Sequence, residues 1–221
     1  MCAAERRRVP LPHRLGSTQL LLSLPPAAAA ALQEHPSLPD GCFVASDPPG
    51  TPLGSGGGTA SLLAAAWRST GGNLSFGEWL HSARKLVVHG GGQSRRLPAY
   101  AGTGKPLMPA PVIRRSFGQS LDSTWLDTQL PYYLRVLDAA PEESVVMVTA
   151  GDVLLRFADD QAPLPVADIV ALGMPVQPEQ AQYFGVFFRR TDEQHLAEFF
   201  LQKPSPEEIV SLARDYDFLV D

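Results

Sequence analysis

Short apolar runs closed by glycine or proline alternate along this chain with longer segments whose apolar residues recur at helical spacing. That alternation predicts an α/β architecture. Lys85-Leu86-Val87-Val88-His89 reads as a buried strand, and Phe43–Ser46 as another, ended by the turn signal Asp47-Pro48-Pro49-Gly50. Ser144–Ala150 is the clearest strand, apolar throughout as in a parallel sheet covered on both faces. Between them, Pro25–His35 predicts a short helix, and Thr59–Trp67 a second that Thr59 or Ser61 can cap. Gly71-Gly72-Asn73 stops that helix, and Phe76–Ser82 forms an amphipathic turn or helix leading into Lys85. From Ser123 to Leu137, Leu126, Leu130, Tyr133, Leu134 and Leu137 make a stripe that packs on the sheet, with Pro131 able to kink it. Strands are expected at Asp168–Val176 and Tyr183–Arg189, a strand or helix end at His195–Gln202, and a helix over Glu207–Arg214. The run Asp215–Asp221 begins a further strand.

At 221 residues the chain suits one sizeable domain around a single α/β core, and a mean hydropathy near zero suits a globular protein. Residues 1–18 are basic, carry prolines and show no periodicity, so they read as a flexible extension to a domain over 19–221. The net charge of −5 argues against a nucleic-acid binder, so anionic ligands must be met by local arginines and lysines. Cys2 and Cys42 offer neither a disulfide framework nor zinc-ligand spacing, which fits a reducing, cytoplasmic setting. Arg6-Arg7-Arg8 followed by Leu20-Leu21-Leu22 loosely mimics a leader, but Pro25-Pro26 break the apolar run. No stretch approaches the roughly 18 apolar residues of a membrane span.

Candidate chemistry concentrates where the strand Lys85–His89 empties into Gly90, Gly91 and Gly92, followed by Gln93, Ser94, Arg95 and Arg96. Consecutive glycines let amide N–H groups approach a ligand closely, and the arginines with Lys105 place positive charge there. This pattern suits polyphosphate, whereas the glycines alone would suit a surface turn. Spacing excludes two familiar loops. Counting back from Gly104-Lys105 puts Ala99 where a Walker A loop needs glycine, and Pro106 where it needs a hydroxyl. Gly54-Ser55-Gly56-Gly57-Gly58-Thr59 lacks the last glycine of a dinucleotide fingerprint. It reads either as a flexible connection or as an anion site at a helix start. His89 reads as packing rather than chemistry.

The string Gly91-Gly92-Gln93-Ser94-Arg95-Arg96-Leu97, with Lys105-Pro106 after it, resembles the signature of nucleotidyltransferases built on an open α/β sheet. The wider form, HGGGQSRRLPAY with GSGGGTA upstream and LQKPS downstream, is similar to the fucose-1-phosphate guanylyltransferase domain of bifunctional fucokinase/GDP-fucose pyrophosphorylase enzymes. The resemblance covers the chain from about Gln19 onward. It implies a Rossmann-like fold: an open, mostly parallel sheet with helices on both faces. The activity it implies is formation of GDP-L-fucose and pyrophosphate from GTP and β-L-fucose 1-phosphate.

By the same resemblance Gly57, Gly58, Thr59, Gly90, Gly91, Gly92, Gln93, Ser94 and Arg95 handle the nucleotide, with Arg95 the weakest candidate beside Arg96. Arg96 and Lys105 would offset phosphate charge. Asp152, just past a strand end, would hold Mg²⁺ rather than cap a turn, and Lys203 in Gln202-Lys203-Pro204 would contact the sugar phosphate rather than only solvent. Ser94 departs from the Gly-Thr form of many relatives, which leaves open which donor phosphate it meets. In the resembled enzymes the domain continues past the equivalent of Asp221 toward a β-helical region and a fucokinase domain, so a fragment is expected here. No membrane or nucleic-acid partner is expected. Two alternatives remain: a silent nucleotide-binding module, and a pyrophosphorylase for another nucleotide and hexose 1-phosphate.

Overall fold

A computed structural model describes residues 17–34, 40–50, 53–90, 98, 101–110, 123–153, 163–192 and 196–221. Within the stretch read as one domain, the chain divides into two compact units, Met1–Val166 and Ala167–Asp221.

The first unit is built on a four-stranded parallel sheet in the order β2-β1-β3-β4, comprising β1 (Gln19–Ser23), β2 (Cys42–Ala45), β3 (Lys85–His89) and β4 (Val146–Ala150). Alternation along the strands sends side chains to opposite faces, and each face is covered by helices. On one face Leu20, Leu22, Val44, Leu86 and Val88 pack with α1 (Pro26–Gln33) and α4 (Trp125–Ala139). On the other, Leu21 and Val87 pack with α2 (Gly54–Thr70) and α3 (Phe76–Ser82). The open parallel sheet with helices on both faces is therefore present. In α4 the stripe Leu126, Leu130, Tyr133 and Leu137 is buried, Leu134 is half-buried, and Pro131 lies inside the helix. Among the described residues, no helix is long and apolar enough to cross a membrane.

Several expectations need correction. Leu20–Leu22, weighed from sequence only against a leader, forms the middle of the buried strand β1. Helix α2 begins at Gly54 rather than at Thr59, so neither Thr59 nor Ser61 is its cap; Leu53 precedes it without a side-chain cap bond. Glycine is a poor helix former, but burial of Leu62, Leu63 and Ala66 further along outweighs that local preference. Strand β4 is not covered on both faces like its neighbours: it lies at an edge of the described sheet, and Val148 is half exposed.

In the second unit, β5 (Gly185–Arg190) is flanked by β6 (Phe199–Gln202) and β7 (Tyr216–Val220) in a three-stranded antiparallel sheet that the sequence reading did not anticipate. Val186, Phe188 and Val220 bury one face against Ala181 of α5 (Pro178–Ala181) and Ile209 of α6 (Pro206–Leu212). The expected strand at Asp168–Val176 is absent. Only Met174 pairs, exchanging backbone bonds of 2.9 and 3.0 Å with Val220, while Ile169 is largely open to solvent.

Candidate functional site

Because β1, β3 and β4 are parallel and in register, Ser23, His89 and Ala150 end side by side. Ligands of open α/β sheets bind beyond such carboxyl ends. The backbone continues the ladder for one more residue, with the Gly90 amide donating to the Ser23 carbonyl (2.7 Å) and the Gly151 amide to the His89 carbonyl (2.8 Å). Tyr133, buried in α4, places its hydroxyl 3.3 Å from the Ala150 carbonyl and braces the end of β4.

Across these ends runs Gly104-Lys105-Pro106-Leu107, a single 3-10 turn. Its entry needs glycine, because Gly104 has φ +78° and a Cβ there would lie 2.9 Å from Pro25 Cδ. Pro106 is wedged between the strand ends: a Cβ on Gly90 would sit 2.7 Å from Pro106 Cδ, and one on Gly151 only 2.2 Å from Pro106 Cγ. Two glycines at two strand ends thus admit one proline. The wedge fixes Lys105 beside the turn after β4, where its Nζ donates to Asp152 Oδ2. Both side chains remain partly solvent-accessible, at 32% and 46%. Lys105 and Asp152, 47 positions apart in the chain, are brought together.

A second cluster lies past the ends of β2 and β3 on the α2 face. The Thr59 hydroxyl donates to the Ser55 carbonyl (2.8 Å), so it accepts from His89 Nε2 (2.7 Å), which places the ring proton on Nε2. Burial makes the His89 ring harder to charge, and the Asp47 carboxylate partly opposes this. Gly58 is buried, and a Cβ there would sit 3.2 Å from Asp47 Oδ1 and 3.5 Å from His89 Cε1. The Gly54–Gly57 turn of α2 is exposed beside it. His89, read from sequence as packing, is therefore a link between the signature strand and the glycine turn. Asp47, read only as a turn former, stands past a strand end just as Asp152 does. The strand-end argument that selected Asp152 would have selected it too.

Of the remaining sequence candidates, Gly91, Gly92, Gln93, Ser94, Arg95 and Arg96 lie outside the described residues. Lys203 belongs to the second unit. It is exposed, follows β6 with φ +53°, and its amide donates to the Phe184 carbonyl (3.0 Å). A lysine in the left-handed region is strained, a feature that concentrates at ligand clamps. Among the described residues no group of three or more His, Cys, Asp or Glu is gathered to hold a metal ion. A single partly exposed carboxylate already facing a cation, as at Asp152, still fits Mg²⁺, which takes one or two protein carboxylates and completes its shell with phosphates and water.

Comparison with known proteins adds two findings. The family model described as the fucose pyrophosphorylase domain matches residues 77–216, from α3 to the start of β7. The chain is also 40% identical over 204 residues to an L-fucokinase/L-fucose-1-P guanylyltransferase of Bacteroides fragilis. That alignment covers 92% of this chain and 22% of the relative.

Proposed function

The chain belongs to the fucose pyrophosphorylase family, and from that premise we propose that it is a nucleotidyltransferase forming GDP-L-fucose and pyrophosphate from GTP and β-L-fucose 1-phosphate. The observation that carries this reading is the Lys105–Asp152 pair, set at the carboxyl ends of β3 and β4 by the Pro106 wedge. An oxygen of the sugar phosphate attacks the α-phosphorus of GTP. The new P–O bond forms as the bond to the β-phosphate bridging oxygen breaks, and pyrophosphate leaves with that electron pair. No covalent enzyme intermediate is required, so catalysis reduces to alignment and charge neutralisation.

Lys105 supplies an ammonium against the α-phosphate and the leaving pyrophosphate. Asp152 would hold Mg²⁺, which when bound neutralises phosphate charge and aligns donor with acceptor. The amides of Gly91 and Gly92, with Gln93, Ser94, Arg95 and Arg96, take the triphosphate in this reading; Gly90, whose own amide is held by Ser23, gives the ligand close access to the backbone, and Gly57, Gly58 and Thr59 border the nucleoside. Lys203 takes the sugar phosphate, and its strained backbone favours that role over a purely solvated one.

The chain spans 22% of the length of the relative it matches, so turnover by this chain is itself part of the proposal. Pyrophosphate release from GTP with fucose 1-phosphate and Mg²⁺ tests it. Release dependent on the sugar phosphate, and weaker with UTP, CTP or ATP, is expected. GTP binding without release would make the chain a nucleotide-binding module. Faster release with another nucleotide or hexose 1-phosphate would replace the substrate assignment.

A further inference from the structure

The pair at Lys105 and Asp152 serves the phosphates and leaves the base unassigned. The sheet itself supplies a ruler. In the order β4-β3-β1-β2, Asp152 follows β4, Gly90 follows β3 and Asp47 follows β2. Adjacent strands are ~4.8 Å apart, so β2 lies roughly 10 Å from β3 and roughly 14 Å from β4 along one ligand-binding edge. An extended nucleotide whose α-phosphate sits at β3 and β4 would carry its base toward β2. We propose that Asp47 is the residue that reads the guanine base, its carboxylate accepting hydrogen bonds from guanine N1–H and the exocyclic N2 amine. The inference rests on the assignment of GTP as substrate.

Three features of Asp47 support it. Its side chain is exposed and hydrogen-bonds to no described residue. The missing side chain of Gly58 lets the carboxylate stand against the glycine turn of α2, near the His89 ring that immediately precedes the signature glycines. The donor–acceptor code is also selective. An ionised carboxylate only accepts, and guanine offers two adjacent donors on that edge. Adenine places a lone pair at N1, and uracil flanks its single N–H with two carbonyls, so each would set acceptor against acceptor.

Calorimetric titration of the full chain and its Asp47→Asn variant with GTP, ITP, XTP and ATP tests the assignment. ITP lacks the N2 amine, so the wild type should bind it on the order of tenfold or more weakly than GTP, the cost of one charge-assisted bond. Asp47→Asn should lose GTP affinity and prefer XTP, whose C2 carbonyl can accept from the asparagine amide. The position is exposed and the change isosteric; an unchanged circular dichroism spectrum checks the fold. Wild-type-like GTP binding by Asp47→Asn, with no gain for XTP, would overturn the role of Asp47 and leave the GTP assignment standing. A wild type that binds no GTP would overturn both.

Discussion

Replacing Gly151 by alanine probes how the fold positions Lys105. The added Cβ would sit 2.2 Å from Pro106 Cγ, 2.9 Å from Pro106 Cδ and 3.0 Å from the His89 carbonyl oxygen. Ordinary carbon–carbon contact begins near 3.5 Å, so proline and strand end must separate by about 1.3 Å. The backbone at Gly151 needs no positive φ, so the effect is steric. Overpacking of this kind costs ~1–3 kcal/mol, which for a unit of this size lowers the melting temperature by roughly 3–10 °C. The larger consequence is functional. Pro106 carries Lys105, and a shift of about 1 Å in a positioning group costs on the order of 100-fold in rate. Gly102→Ala is the control, because a Cβ there meets nothing within 4 Å. Thermal melts and pyrophosphate-release rates of both variants give the comparison. If Gly151→Ala melts and turns over like Gly102→Ala, the wedge does not position Lys105 and the steric reasoning fails.

Other groups make separate predictions. Lys85 is fully buried, and its Nζ donates to the carbonyls of Trp79 (2.8 Å), Leu80 (3.2 Å) and Ala83 (2.6 Å) at the end of α3. In Lys85→Met the Trp79 carbonyl keeps the Ser82 hydroxyl, but Leu80 and Ala83 lose their partner. Removing the donor from two half-buried carbonyls costs about 2–4 kcal/mol, partly offset by no longer burying an ammonium, for a net loss on the order of 1 kcal/mol. Urea titration followed by tryptophan fluorescence measures it, since Trp67, Trp79 and Trp125 all lie in the first unit.

Burial pulls the Lys85 ammonium down to about 8, below its unfolded value, so between these values the unfolded chain holds more protons. The stability advantage of wild type over Lys85→Met should therefore widen as pH rises from 8 toward 10.5; a flat difference would contradict it. Burial pushes the Cys42 thiol up to about 12, so in a Cys2→Ser background it should react with a disulfide reagent only after denaturation. Lys203→Gly relieves a left-handed backbone worth ~1 kcal/mol. It should leave the fold at least as stable by thermal melt while raising KM for the sugar phosphate, and an unchanged KM would remove Lys203 from the site.

Much of the first unit was legible because its signals are local. β3 matches its apolar run at both ends, α3 spans the residues expected, and the α4 stripe is buried as its spacing demands. Lys105 and Asp152 could be picked out because each follows a motif, but their contact depends on Pro106 meeting two glycines distant in sequence. β1 was missed because a five-residue apolar run beside basic residues carries two meanings, and only pairing with β2 and β3 decides between them. The glycine string of α2 reads as a loop on propensity, and tertiary burial of the later turns overrides it. At Asp168–Val176 the composition suits a strand, but Gly173 and Pro175 leave only Met174 to pair. Asp47 escaped notice because a turn role explained it sufficiently.

The most direct test of the central claim, that the Lys105–Asp152 edge is where nucleotidyl transfer occurs, is pyrophosphate release by Asp152→Ala beside wild type. Both would be assayed with GTP, fucose 1-phosphate and Mg²⁺, and both checked by thermal melt. Asp152 is half exposed, so its removal should leave the melt nearly unchanged. The account predicts that release depends on the sugar phosphate in wild type and falls by at least ~100-fold in the variant. Equal release by the two proteins would place the chemistry elsewhere.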